Sequence, residues 1–314
     1  AMTQGSSIAM LISAFPASER GRALGLLISV VGVGAIVGPV LGGIIVDVLG
    51  WRWVFFTSSV LGAISTIVAV VILIENPQIK TAKLSSFDWL GAALSAGGLV
   101  IFMISITSGP RIGWTSPTVT IGLMAFLAVL IVFIFWERRV QTPMLDMNLF
   151  IHRPFSLGII GTFVSFIGMS SVGFLMPFYL QYVLGFTPTY VGLIIVPSGI
   201  CFAVIGPISG RLSDRYGWRR FNIVGITLCT IGMFILSTIG STSALWFVMF
   251  GIILQSSGMG LFNAPNSSSI FSVVEQRTFG VVSGFLNLAR NASNVTGIAL
   301  VTAIVTATMA SMGH

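Results

Sequence analysis

Charge is what this 314-residue chain most lacks: Asp, Glu, Lys and Arg together make up 7% of it, where a soluble domain carries about 25%. That shortage excludes a soluble globular fold, because the 55% of hydrophobic residues have no polar shell to face water. Cysteine is as scarce. The only two, Cys201 and Cys229, exclude a disulfide framework. Both fall inside apolar runs and read as small packing residues. Of the two histidines, His152 sits in a basic segment and His314 at the end, so neither a metal cluster nor a catalytic triad is spelled out. The few GxG patterns lie inside apolar runs, not after strands, which argues against a phosphate-cradling loop. These absences predict a chain that is not an enzyme and needs no cofactor and no metal.

What is present is long uncharged runs. Residues 23–46, 53–74, 89–110 and 112–136 are each one such run, and each is long enough to cross a bilayer as a helix of about 20 residues. Residues 154–210 and 221–274 are too long for one span and suit two with a turn. Turn residues divide the first near Gln181 to Pro188 and the second near Gly240 to Ser243. A last helix fits 279–303, interrupted by Arg290. The pattern predicts an all-α, polytopic helical bundle of about nine full transmembrane helices. A partial helix over 1–15 would precede them, too short to span.

The net charge of +7 raises nucleic acid as a partner, but the distribution excludes it. Arg20, Arg22, Lys80, Lys83, Arg138, Arg139, Arg153, Arg211, Arg215, Arg219, Arg220 and Arg277 fall in alternate loops, while the other loops hold only Arg52 and Arg111. The positive-inside rule puts the richer set in the cytoplasm. The seven tryptophans, Trp51, Trp53, Trp89, Trp114, Trp136, Trp218 and Trp246, all fall near predicted helix ends, as an interfacial belt does.

Within this frame three groups of residues stand out. Gly34, Gly38 and Gly42 are four apart and share a helix face; small residues at that spacing let helices approach closely. Pro39 removes a backbone hydrogen bond and bends the helix, and Gly43 extends the pattern. The second group is Gly210, Asp214, Arg215, Gly217, Arg219 and Arg220, read as a loop at the membrane surface. Asp214 suits the N-terminus of a facing helix, and Arg215 and Arg219 suit acidic partners across the loop. The alternative is a solvated basic anchor. The third group is Arg290, the sole charge well inside a predicted span, which is costly unless paired or wet. It either snorkels to an end or faces a cavity with Asn287, Asn291 and Asn294. Gln255, Asn263 and Asn266 add amides on the preceding span, to bind substrate or to join helix to helix.

These residues carry a resemblance. Glu19-Arg-Gly-Arg-Ala-Leu-Gly25, Gly34-xxx-Gly38-Pro39-xx-Gly42-Gly43 and Gly50-Trp-Arg-Trp-Val-Phe-Phe56 resemble the major facilitator superfamily, and within it the fourteen-helix drug/proton antiporter branch. GxxxGPxxGG is similar to the antiporter motif of that branch's fifth helix. Gln4-Gly5 is similar to the end of its fourth-helix motif. Gly210-Arg-Leu-Ser-Asp214-Arg215-Tyr-Gly217-Trp-Arg219-Arg220 resembles the superfamily's loop signature in its second-half copy. Gly258 to Pro265 and Asn287 to Asn291 resemble the late helices. Thr57-Ser58-Ser59-Val60 and Arg290-Asn291-Ala292 depart from the branch, which has Asn and Pro at the first place and Arg-Gln-Gly at the second. On this register the chain runs from the tail of helix 4 through helix 13, without helices 1–3 and 14.

The resemblance implies three parts: 1–76, the rest of an N-terminal bundle; 77–153, two linker helices; and 154–314, a C-terminal bundle. It implies a monomeric multidrug exporter in the cell membrane that moves small amphipathic, often cationic molecules against protons by alternating access. A carrier for a specific metabolite is the first alternative; a channel, a scaffold or a membrane-embedded enzyme are remoter ones. All eight acidic residues fall in loops or at predicted helix ends, so the proton-carrying group is expected outside this chain.

Overall fold

The computed structural model describes residues 11, 15–16, 19–72, 88–140, 143–275 and 278–311. The expected partial first helix, Gln4-Gly5, Lys80, Lys83 and Arg277 lie largely or wholly outside them. Among the described residues there is no strand and there are nine long α-helices. These are α1 (Arg20–Leu49), α2 (Arg52–Ile72), α3 (Trp89–Ile112), α4 (Pro117–Glu137), α5 (Arg153–Phe178), α6 (Pro188–Tyr216), α7 (Trp218–Ser237), α8 (Leu245–Phe271) and α9 (Phe279–Ser311). Eight of them are long and apolar enough to cross a membrane, and α1 carries two shorter apolar stretches, Arg22–Gly34 and Val40–Leu49.

The helix ends follow local chemistry. Pro117 and Pro188 open α4 and α6, where a missing N–H costs nothing. Asp88 caps α3 by accepting a hydrogen bond from Gly91 N at 2.8 Å. Between α5 and α6 the chain makes a π-helical turn, Tyr179–Val183, at the break expected from Gln181 to Pro188. Between α7 and α8, Gly240 N donates to Ser243 Oγ at 2.8 Å. In α2 the hydroxyls of Thr57, Ser58 and Ser59 bond the carbonyls four residues back, so the helix runs on where the resembling family has Pro.

One boundary differs from the sequence reading. Arg211, Asp214 and Arg215 were expected in a loop, but α6 continues to Tyr216 and only Gly217, at φ +86°, breaks it before α7. No residue of Arg-Leu-Ser-Asp-Arg-Tyr opposes a helix strongly, and charge ends an apolar run without ending a helix. Arg215 in the last turn also suits the negative end of the helix dipole.

α8 is the centre of the bundle and packs on α1, α5, α6 and α7. It meets α7 at backbone distance: a Cβ on Gly258 would stand 2.5 Å from Cys229 N, and one on Gly232 would stand 2.6 Å from Gln255 N. Cys229 is buried there as a small residue, its thiol directed at the Gln255 carbonyl oxygen, 3.3 Å away. Phe155, Met259, Ile270, Phe271, Phe279 and Leu286 fill one end of the core. Met176, Leu180, Val191, Leu236, Val248 and Ile252 fill the other. Asn266 ties α8 to α5, donating to Gly158 O at 3.0 Å and to Thr162 Oγ1 at 2.8 Å.

α3 and α4 form a hairpin that packs chiefly on itself and, through α3, on α9. Its open end is knotted by polar groups. Trp136 Nε1 donates to both Asp88 oxygens, at 2.9 and 3.1 Å, and Leu145 N donates to Glu137 Oε2 at 3.2 Å. Gly91 makes room for the knot: a Cβ there would stand 2.3 Å from Asp88 Oδ2 and 3.0 Å from Glu137 Oε1. Gly91→Ala should therefore lower stability by about 1–2 kcal/mol despite alanine's better helix propensity, because the cap must move. Gly97→Ala, where an added Cβ meets nothing within 4 Å, should be neutral or stabilising. Thermal unfolding of the two variants in detergent checks this; equal melting temperatures would refute the account of the knot.

Candidate functional site

α1 and α6 run antiparallel in one seam, the most extensive helix contact among the described residues. Between its Arg22 end and its middle the backbones touch. A Cβ on Gly25 would stand 2.6 Å from Pro207 Cα, and one on Gly32 would stand 2.7 Å from Ala203 Cα. Ser29 Oγ donates to Ala203 O at 2.7 Å. Each end carries a polar bond to an aspartate. At one end Arg22 N, in the first turn of α1, donates to Asp214 Oδ2 at 3.0 Å. Asp214 thus meets a helix N-terminus, where a carboxylate gains about 0.3–1 kcal/mol at an exposed site. Glu19, Arg22, Arg211 and Asp214 line a cavity of about 400 Å³ there. At the other end Thr189 Oγ1 donates to Asp47 Oδ2, a contact that sequence reasoning missed.

The arginines beside Asp214 behave otherwise than expected. Among the described residues neither Arg215 nor Arg219 makes an ion pair; the Arg215 guanidinium lies over the Tyr216 ring, 5.4 Å from its centroid. Gly210 is buried, while Arg219 and Arg220 begin α7 exposed. Both helices run directly into the turn at Gly217.

The glycine motif of α1 also faces elsewhere. Cβ atoms on Gly34, Gly38 and Gly42 would meet nothing within 4 Å, and on Gly43 only the Pro188–Thr189 backbone at 3.5 Å. The expected tight contact on that stripe is not formed among the described residues. Helical geometry explains it: Gly34 is nine residues, about two and a half turns, beyond Gly25, so it lies on the opposite side of the helix. The backbone contact belongs to Gly25 and Gly32 instead.

The amide candidates divide. Arg290 and Asn263 come together: Arg290 Nη2 donates to Asn263 Oδ1 and to Ser267 Oγ, both at 3.2 Å. The guanidinium lies 5.4 Å from the Phe166 ring centroid. Arg290 therefore clamps α9 to α8 and rests on α5, and does not snorkel. Ser267 escaped the sequence reading, although it stands four residues after Asn263 and hence on its face. Asn287 is buried and its Nδ2 has no partner, as has Arg290 Nε. Asn291 Nδ2 bonds the Asn287 carbonyl of its own helix at 2.9 Å. Gln255 is buried two turns away, its Oε1 accepting from the neighbouring Ser256 Oγ at 3.3 Å, and is not joined to Arg290.

The two glycine faces of α1 separate by substitution. Gly25→Leu and Gly32→Leu should each destabilise the chain by about 1–3 kcal/mol through overpacking, while Gly38→Leu should leave its melting temperature within a degree or two. The measurement is thermal unfolding of each variant in detergent. A loss at Gly38 equal to that at Gly25 would show that the motif face is already packed.

The comparisons with known proteins agree with this architecture. The family model described as Major Facilitator Superfamily matches residues 1–89 and 84–298. Among similar curated proteins, "Multidrug resistance protein Stp" of Mycobacterium tuberculosis H37Rv is 28% identical over 303 residues, covering 96% of this chain and 56% of that protein. "Riboflavin transporter RibZ" of Clostridioides difficile is 28% identical over 294 residues, covering 94% of this chain and 63% of that protein. "Lincomycin resistance protein LmrB" of Listeria monocytogenes is 26% identical over 294 residues, covering 93% and 62%. The chain thus spans little more than half the length of the relatives it matches. Nine long, mostly membrane-compatible helices, a seam of closely packed small residues and a family match across most of its length place this multi-pass membrane chain in the Major Facilitator Superfamily.

Proposed function

We propose that this chain works in secondary active export of small amphipathic molecules across the cell membrane, by alternating access and against protons. The observation that carries the reading is the α1–α6 seam. Backbone contact runs from Gly25, one turn inside the Asp214 end, to Gly32 near the middle, and the seam's two ends hold one aspartate bond each, at Asp214 and Asp47. A seam fastened separately at opposite ends can open at one while the other stays shut, which is what alternating access about a midplane site requires. Multidrug and lincomycin resistance proteins among the relatives support an amphipathic substrate. A specific metabolite carrier is the second reading, supported by the riboflavin transporter.

In this reading residues 1–76 belong to one bundle and 154–314 to the other, with 77–153 as linker helices. The peripheral packing of α3 and α4 supports that division. The end with Asp214, Arg215, Arg219 and Arg220 faces the cytoplasm, and Gly34, Gly38 and Gly42 offer their open stripe to a further helix. The transporter acts as a monomer.

Loss of either end bond should disturb the cycle without unfolding the protein, since each is worth about 1 kcal/mol. In cells expressing the protein, Asp214→Ala and Asp47→Ala, which remove the acceptor, should each cut export of a fluorescent amphipathic dye at least several-fold at unchanged membrane abundance. A protonophore should abolish export by the unsubstituted protein. Export that ignores both substitutions would remove the seam from the mechanism; export that ignores the protonophore would remove the proton.

Among the described residues no carboxylate stands in the middle of a helix for proton coupling to act on. Among the described residues Glu19, Asp47, Asp88, Glu137, Asp146, Asp214 and Glu275 all lie within a turn of a helix end or between helices; a proton relay needs an ionisable group in the span. This 314-residue chain reconstituted alone should therefore show no dye flux that responds to an imposed pH gradient. Gradient-dependent flux by the chain alone would overturn this placement of the proton site.

A further inference from the structure

Arg290 is a permanent positive charge about 16 Å along α9 from its start at Phe279, at 1.5 Å per residue. It therefore lies well inside this 33-residue helix, and its side chain is turned onto α8 and α5 inside the bundle. Everything the structure sets against it is neutral: Asn263 Oδ1, Ser267 Oγ and the Phe166 ring. Among the described residues no carboxylate pairs with it. A buried charge without a counter-charge is costly in a membrane, and buried donors without acceptors add to the cost.

Two such donors stand together. Arg290 Nε and Asn287 Nδ2 are both buried and unpartnered, three residues apart on one helix and therefore neighbours. Asn287 is also part of the wall of a cavity of about 490 Å³ between α9 and the α3–α4 hairpin. The rest of that wall is mainly apolar, with Phe133, Leu145, Phe285 and Leu288 prominent. Arg290 is not itself in that wall; Asn287 is the link between the cavity and the charge, one helical turn away, and a turn of its amide about its side-chain bonds would bring its buried N–H groups to the cavity. The local charge is positive, the missing hydrogen-bond partners are acceptors, and the adjoining space is oily.

We propose that Asn287 and Arg290 form an anion subsite that receives the carboxylate, or a similar oxyanion, of an amphipathic molecule whose apolar body fills this cavity. This rests on the transporter reading for its biological meaning, and it narrows the substrate class: an acid, not a cationic drug, is the ligand this part of the bundle complements.

The test uses the full chain purified in detergent and two probes of one shape, 2-naphthoate and 2-naphthamide, with binding measured by titration calorimetry. Hydrogen bonds to a charged partner are worth about 1.5–3 kcal/mol, so naphthoate should bind at least about tenfold more tightly than naphthamide. The preference should vanish in Arg290→Gln and persist in Arg290→Lys, which keeps the charge. Equal affinity of the unsubstituted chain for the two probes would overturn the proposal whatever the variants do. So would absent naphthoate binding at millimolar concentration, or a preference that survives Arg290→Gln. Binding is read without transport. An anion preference in a protein that exports nothing would sink the exporter reading alone; export with no anion preference would sink the subsite alone.

Discussion

Backbone-to-backbone contact between helices is the constraint on which this bundle rests. Lipid tails are as apolar as leucine, so no hydrophobic force drives one spanning helix onto another, and close packing with a few hydrogen bonds must do the work. The chain meets that demand with glycine at specific places. Gly258, Gly232 and Gly225 bring α7 against α8, and Gly25 and Gly32 bring α1 against α6. Once the backbones are that close, short hydroxyl side chains can reach the neighbour's carbonyls, as Ser29 reaches Ala203 O and Ser209 reaches Gly260 O. The polar bonds are a consequence of the approach, and they tie the seam and the α6–α8 contact.

The same constraint explains which parts of the fold were legible in the sequence. Helix number and spacing were, because charge is too costly in lipid to appear at random, and its gaps therefore mark the spans. The tryptophans were, because each sits at a helix end. The extension of α6 through Asp214 to Tyr216 was not, because charge marks where an apolar run stops and carries no instruction to end a helix; only Gly217 does that. The partner of the glycine stripe was not legible either. Periodicity says that Gly34, Gly38 and Gly42 share a face, but not which helix lies against that face, and among the described residues none does.

The polar site was legible in its members and not in its pairing. Arg290 announces itself as a charge in a span, and asparagines of its own helix look like natural companions by sequence distance. The fold instead brings it Asn263 and Ser267 from α8. Long-range pairing depends on how α8 and α9 each pack on α5, where a Cβ on Gly297 would stand 2.6 Å from Ile167 O, and single-helix patterns carry none of that. Asp47 is the same lesson at the membrane surface: its partner Thr189 lies 142 residues on.

The strengths of these contacts are ordered in a way that suits a molecule with two states. The buried contacts, glycine against backbone and the hydrogen bonds of Asn266 and Arg290, are dear to break, since separating them leaves cavities and unpaired polar groups. The two end bonds of the α1–α6 seam involve exposed aspartates, each worth about 1 kcal/mol or less. A switch cannot have a much steeper preference than its driving force: moving a two-state population from 1:99 to 99:1 takes about 5.5 kcal/mol. Weak ends about a close-packed middle keep the difference between proposed inward-open and outward-open forms inside what a bound substrate or proton can supply. Stronger ends, such as buried ion pairs costing 3–5 kcal/mol to break, would hold the seam in one state. On this view the scarcity of charge that first marks the sequence as membranous also leaves the ends of the seam free to exchange.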